Sequence, residues 1–166
     1  MHIYTGGGKG KSTAAFGLAV RAAGAGLRVC IHQFIKAGRC AEKDLLKNIK
    51  NIIIKRCGNG RFIKGSANAK DIECAKKGFE EARKDILSGK YDLIILDEVN
   101  IALKLGLIKI DEVIELIRHR PRCVELVLTG RCCPKKLLRY ADVVTEMRKI
   151  KHPFDKGILA RKGIEY

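Results

Sequence analysis

A chain of 166 residues with 46% hydrophobic content is long enough to bury one sizeable core and short for two, so one domain over residues 1–166 is expected. No apolar run reaches the roughly 18 to 20 residues of a membrane span, and Met1 runs straight into strand-like sequence without a charged leader or cleavage site, which points to the cytoplasm. The formal charge of +16 calls for an anionic partner, but the lysines are dispersed and aromatic residues make up only 5%, which argues against nucleic acid and for a lysine-rich solvated surface.

The first predicted element is the strand HIYT, which runs into TGGGKGKST, Thr5 to Thr13. Glycines let the backbone turn its amides toward an anion, and a helix beginning near Lys11 adds its positive end. Gly6, Gly7, Gly8, Lys9, Gly10, Lys11, Ser12 and Thr13 therefore read as a phosphate cradle, with Lys11 as mobile charge and the Ser12 hydroxyl able to reach Mg²⁺. The usual spacing asks for a glycine five places before Gly10, and Thr5 stands there instead. Helix periodicity covers Lys11 to Gly24 and ends in AGAG; the strands LRVCIHQF and NIIIKR follow.

Further along, a helix is predicted over Ala69 to Ser88, then the apolar strand YDLIILD, which ends in Asp97 and Glu98. Carboxylates at a strand end, in a chain with a phosphate loop, are candidate Mg²⁺ or Mn²⁺ ligands, since such ions prefer hard oxygens and borrow only one or two protein carboxylates. A helix over Asp111 to His119 stops before Pro121, and the strand CVELVLT delivers Thr129, Gly130 and Arg131 to the same sheet edge, where the guanidinium suits phosphate oxygens. A short helix over Pro134 to Tyr140 and the strand DVVTEM complete the alternation. Strands alternating with helices imply a three-layer α/β fold with a mostly parallel sheet whose strands are buried on both faces, and ligands binding outside the strands' carboxyl ends. The last segment, KHPFDKGILARKGIEY, breaks the pattern, but its Phe154, Ile158, Leu159 and Ile164 point to an ordered arm packed over the domain.

Seven scattered cysteines without a C-x-x-C pair read as reduced, mostly buried thiols, and the four histidines show no spacing of a nucleophilic triad. Catalysis is therefore expected to rest on positioning and charge stabilisation.

The pieces TGGGKGKSTAAFGLAVRAAGAG, VCIHQFIKAG, LIILDE, VELVLTGR, YADVVTEMR and KHPFDKGILARKGIEY resemble the corrinoid adenosyltransferases of the ATP:cob(I)alamin type, nearly end to end. The resemblance implies a homodimeric P-loop NTPase-like, RecA-like protein that transfers the 5′-deoxyadenosyl group of ATP to reduced corrinoid cobalt and releases triphosphate, in biosynthesis or salvage of adenosylcobalamin. It also implies an ATP held in reverse relative to ordinary NTPases, a shifted glycine pattern, catalytic roles for Lys11 and Arg131, a metal on Ser12, Glu98 and Asp97, and an acidic flavoprotein as electron donor. Three departures stand out. Gly7 and Ser12 replace the Asn and Thr of the family's loop; GRFI at Gly60 to Ile63 stands where many members carry GFTW, leaving Phe62 as a corrinoid contact or an intermediate without a bulky lower ligand as substrate; and the sequence begins almost at the first strand, so that Lys36 to Lys50 or the carboxyl arm is expected to cover the site. A P-loop ATPase or small kinase of another kind is the alternative.

Overall fold

The structure, a computed structural model, describes residues 1–35, 41–59, 63 and 65–164. Six strands, β1 (His2–Thr5), β2 (Val29–Gln33), β3 (Ile52–Arg56), β4 (Leu93–Asp97), β5 (Glu125–Thr129) and β6 (Val143–Glu146), form one sheet in the order β3-β2-β4-β5-β1-β6. Every pairing is parallel. Between them run α1 (Lys11–Gly24), α2 (Ala41–Leu46), α3 (Ala69–Leu87), α4 (Val99–Lys104), α5 (Ile110–His119) and α6 (Lys135–Leu138), and a 3₁₀ turn, Pro153–Lys156, lies in the carboxyl arm.

The period of two along the central strands sorts their side chains between two cores. Leu93 and Ile95 of β4, Val127 of β5 and Ile31 of β2 meet Ala15, Phe16, Ala19 and Ala22 of α1 on one face. Ile94 and Leu96, Leu126 and Leu128, and Ile3 of β1 face the other way, toward Phe79, Ala82 and Ile86 of α3 and Val113, Leu116 and Ile117 of α5. Helices on both faces of a parallel sheet make the three-layer α/β architecture expected of a P-loop NTPase-like fold. No helix among the described residues is long and apolar enough to cross a membrane.

Three expectations need correction. The outer strands are not buried on both faces: all four residues of β6 are exposed and only Ile52 of β3 is buried, because each strand lies at an edge of the sheet. The helices α2 and α4 lie in segments where periodicity predicted none; each is only six residues long, too short to display a helical period. The arm's apolar side chains do not pack down, with Phe154 71% and Leu159 79% exposed. Its anchorage is polar instead, with Lys149 paired to Asp155 at 2.7 Å and the Ile164 carbonyl accepting from Lys9 Nζ at 2.9 Å.

Candidate nucleotide-binding site

β4, β5 and β1 lie side by side, so the loops at their carboxyl ends meet on one edge of the sheet. Thr5 explains the shifted glycine pattern. It is the last residue of β1, paired with Glu146 of β6, and its hydroxyl accepts from the Cys133 N–H at 3.3 Å, so the chain is still extended where a common phosphate loop has already turned. The turn comes over the next residues, pinned where Gly8 N donates to the Met147 carbonyl at 2.6 Å. Gly10, the N-cap of α1, has φ 109° and no side-chain cap; a β-carbon is disfavoured in that conformation, and the first amides of α1 are left without a capping side chain.

Lys11 is the first residue of α1 and is buried, yet its ammonium finds only backbone carbonyls, Gly6 at 2.9 Å and Gly8 at 2.5 Å. Among the described residues it has no carboxylate at ion-pair distance. Burial, and then the nearby Arg131 guanidinium, push its pKa below the ordinary lysine value, with Glu98 partly offsetting them. Two cations held close together and offset only in part by Glu98 attract an anion of more than one charge.

The carboxylates divide in character. Asp97, at the end of β4, is fully buried; its Oδ1 accepts from Ser12 Oγ at 2.7 Å and Thr129 Oγ1 at 2.8 Å, and its Oδ2 from Gln33 Nε2 at 3.2 Å. Thr129 Oγ1 in turn accepts from the Glu98 N–H at 2.9 Å. That bond helps hold Glu98 at φ 61°, the left-handed turn that ends β4 and opens α4, while its side chain lines the cleft.

The cleft itself, about 280 Å³, brings together Gly8, Lys9, Gly10, Lys11, Ser12 and Thr13 with Glu98 and Arg131. Gly6 shapes the loop through its carbonyl bond to Lys11, and Gly7 lies beside it in the turn. Three further wall residues, Glu42 of α2 and His152 and Ile164 of the arm, escaped sequence reasoning as site residues. All three lie in segments, Lys36 to Lys50 and the carboxyl arm, expected as cover without any residue being singled out for the site. Phe62, the residue expected at a corrinoid, lies outside the described residues, as does the Lys36 to Cys40 stretch of the expected cover.

A second polar cluster was also invisible in the spacing. Cys30 and His32 of β2, Cys57 just after β3 and Asp85 of α3 converge beneath the sheet's opposite face. His32 Nε2 lies 2.9 Å from Asp85 Oδ2 and 3.4 Å from Cys30 Sγ, and its Nδ1 lies 3.5 Å from Cys57 Sγ. The triad absent from the sequence pattern is thus partly present in space. It is chemically quiet: burial pushes both thiols up to about 12, and Lys55, which also pairs with Glu81, caps Asp85 at 2.8 Å. The thiols are less buried as a group than expected, since Cys123 and Cys132 are exposed and Cys74 and Cys133 only half-buried.

Comparison with known proteins adds a family. A family model described as ATP:corrinoid adenosyltransferase BtuR/CobO/CobP matches residues 1–166. A corrinoid adenosyltransferase of Sinorhizobium sp. is 36% identical over 168 residues, spanning 99% of this chain and 78% of the relative. One from Pseudomonas aeruginosa is 36% identical, with 99% and 82% covered, and the corrinoid adenosyltransferase CobA of Salmonella typhimurium is 33% identical, with 99% and 84% covered.

Proposed function

Because the chain belongs to the ATP:corrinoid adenosyltransferase family, we propose that it transfers the 5′-deoxyadenosyl group of ATP to the cobalt of a reduced Co(I) corrinoid, releasing triphosphate. The observation that carries this reading is the convergence of Lys11 and Arg131 on a cleft walled by the glycine loop and Glu98. Arg131, like Lys11, has no ion-pair partner among the described residues. Family membership sets aside a kinase or an unrelated ATPase.

The chemistry fits this inventory. Cobalt(I) supplies an electron pair to C5′, the Co–C bond forms as the C5′–O bond breaks, and that bond's electrons leave with the triphosphate. No proton is removed from the nucleophile, so no general base is needed, and the cluster around His32 has no part to play. What the protein must supply is orientation of C5′ and neutralisation of the leaving group. The loop amides and Lys11 hold the polyphosphate, and Arg131 meets charge that grows on the departing oxygen. The donor set near Ser12 and Glu98 is hard oxygen, the kind that holds Mg²⁺ or Mn²⁺; bound there, the ion would neutralise phosphate charge. Asp97 serves that set by holding the Ser12 hydroxyl in place.

Two partners belong to the same proposal. A second copy of the chain would cover the exposed edge strand β6 and the apolar side chains of the arm, giving a homodimer; sedimentation equilibrium showing a monomer at micromolar concentration would refute it. The charge of +16 suits encounter with an acidic flavoprotein donor, and a reduction rate unchanged from low to high salt would refute that steering.

The function is tested by following the cobalt(I) absorbance. The band disappears only when ATP is added, and triphosphate accumulates in step with adenosylated corrinoid. ADP and phosphate as the sole products would refute the assignment. Running the assay with corrinoids that have and lack a lower base ranks the substrates.

A further inference from the structure

His152 lines the same cleft as the glycine loop, on the arm that Lys9 ties down through the Ile164 carbonyl. Its ring is locally committed: Nδ1 accepts the N–H of Phe154 at 3.1 Å, closing the start of the 3₁₀ turn Pro153–Lys156. A nitrogen that accepts cannot carry the proton, so the ring's N–H lies on Nε2, for which no partner exists among the described residues. One edge of the imidazole thus caps the turn, and the other is a donor without a protein partner among the described residues. The same cleft, of about 280 Å³, is lined by Lys11, Ser12 and the glycines of the loop.

Resting on the corrinoid adenosyltransferase reading, we infer that His152 is a nucleotide-binding residue that donates Nε2–H to a phosphate oxygen of bound ATP, coupling arm closure to occupancy of the polyphosphate site. The ring acts as a donor. Its contribution is a directed hydrogen bond to a charged acceptor, a class of bond worth about ten-fold or more in affinity. The geometry also makes the arm a reporter: a ligand that recruits Nε2 holds the segment from His152 to Ile164 against the loop.

Two substitutions separate the ring's two edges. Asparagine places an acceptor near Nδ1, keeps the turn capped and removes the outer donor; glutamine places an amide donor near Nε2 and loses the cap. Binding of ATP and of inorganic triphosphate to the full chain is measured calorimetrically without corrinoid, and protection of the arm is followed by limited proteolysis. The expected result is that His152→Asn weakens both ligands about ten-fold while the free arm stays as protease-resistant as in the wild type. His152→Gln is expected to stay within about three-fold. Wild-type affinity in His152→Asn, the reverse order of the two variants, or a loss seen with ATP but not with triphosphate would each overturn the inference. A wild-type protein that binds no ATP would instead overturn the functional assignment on which it rests.

Discussion

Two carboxylates sit on opposite faces of this sheet, Asp97 fully buried and Asp85 half-buried, and each is surrounded by donors, yet only one belongs to the proposed site. Asp97 receives Ser12, Thr129 and Gln33, and the cleft's Lys11 and Arg131 have no ion-pair partner among the described residues. Asp85 receives His32 and the ammonium of Lys55, so the charge is cancelled where it stands. The histidine, thiols and carboxylate usually sought as a catalytic constellation are packed away in self-satisfied form, whereas the proposed site gathers glycines and two cations that Glu98 offsets only in part. Reactivity follows from what a cluster leaves unpaired, more than from which residue types it contains.

The sharpest way to break this contrast is to neutralise the cleft. Lys11→Ala and Glu98→Gln should each lower adenosyl transfer by about 100-fold or more, read from cobalt(I) decay, with little change in the urea midpoint. A variant near wild-type activity would mean that the loop is not where the triphosphate is held.

The opposite signature is expected of the other cluster. Gly78 lies in the middle of α3, where a glycine costs about 1 kcal/mol of helix propensity relative to alanine, but a β-carbon there would sit 2.2 Å from Cβ of Cys57. Gly78→Ala should therefore destabilise the fold by about 1 to 3 kcal/mol by denaturant unfolding, against the propensity trend. Activity per folded molecule should change little. A stabilised variant would show that Cys57 does not seat against α3 as described.

Acid should act through the same cluster. Burial lowers the pKa of His32, with Asp85 only partly offsetting it, so the folded chain refuses a proton that the unfolded chain accepts. Stability is thus full above the unfolded histidine value of about 6.5 and falls as pH drops below it. For Asp85, burial raises the pKa but the Lys55 ammonium, joined by His32, outweighs it and leaves the group below its ordinary value. Its contribution is present above the unfolded carboxylate value of about 3.9 and is lost as pH falls through the lowered folded value. Urea midpoints measured across pH should show both limbs, and His32→Gln should remove the upper one; an unchanged upper limb would assign it elsewhere. The smallest effect concerns the thiols. Cys123 and Cys132 should react with a thiol reagent in the native state and Cys30 and Cys57 only on unfolding, as counted by mass; early labelling of Cys30 would show that the cluster opens.

The same contrast governs what could be read from the sequence. The cradle is legible because its residues are contiguous from Thr5 to Thr13, and Glu98 and Arg131 each follow directly on an apolar strand. The helix α1 could be bounded from Lys11 to Gly24 because glycines punctuate both ends. The cluster was hidden because Cys30, Cys57 and Asp85 come from three different elements, and only folding sets them around His32. Nor does any local pattern announce α4, which begins at the left-handed Glu98, a conformation imposed by the Thr129 contact from the neighbouring strand. β6 reads as apolar and yet is exposed, since its place at the edge is a property of strand order and not of composition.

The central claim is that the cleft holds ATP by its phosphates so that C5′, and not the outermost phosphorus, is presented to the acceptor. The most direct measurement is a crystal structure with a bound non-reactive ATP analogue and the metal ion. The account predicts the terminal phosphate seated in the loop from Gly6 to Thr13, with the ribose turned toward the corrinoid side. A terminal phosphate directed outward, with the α-phosphate deepest in the loop, would contradict it.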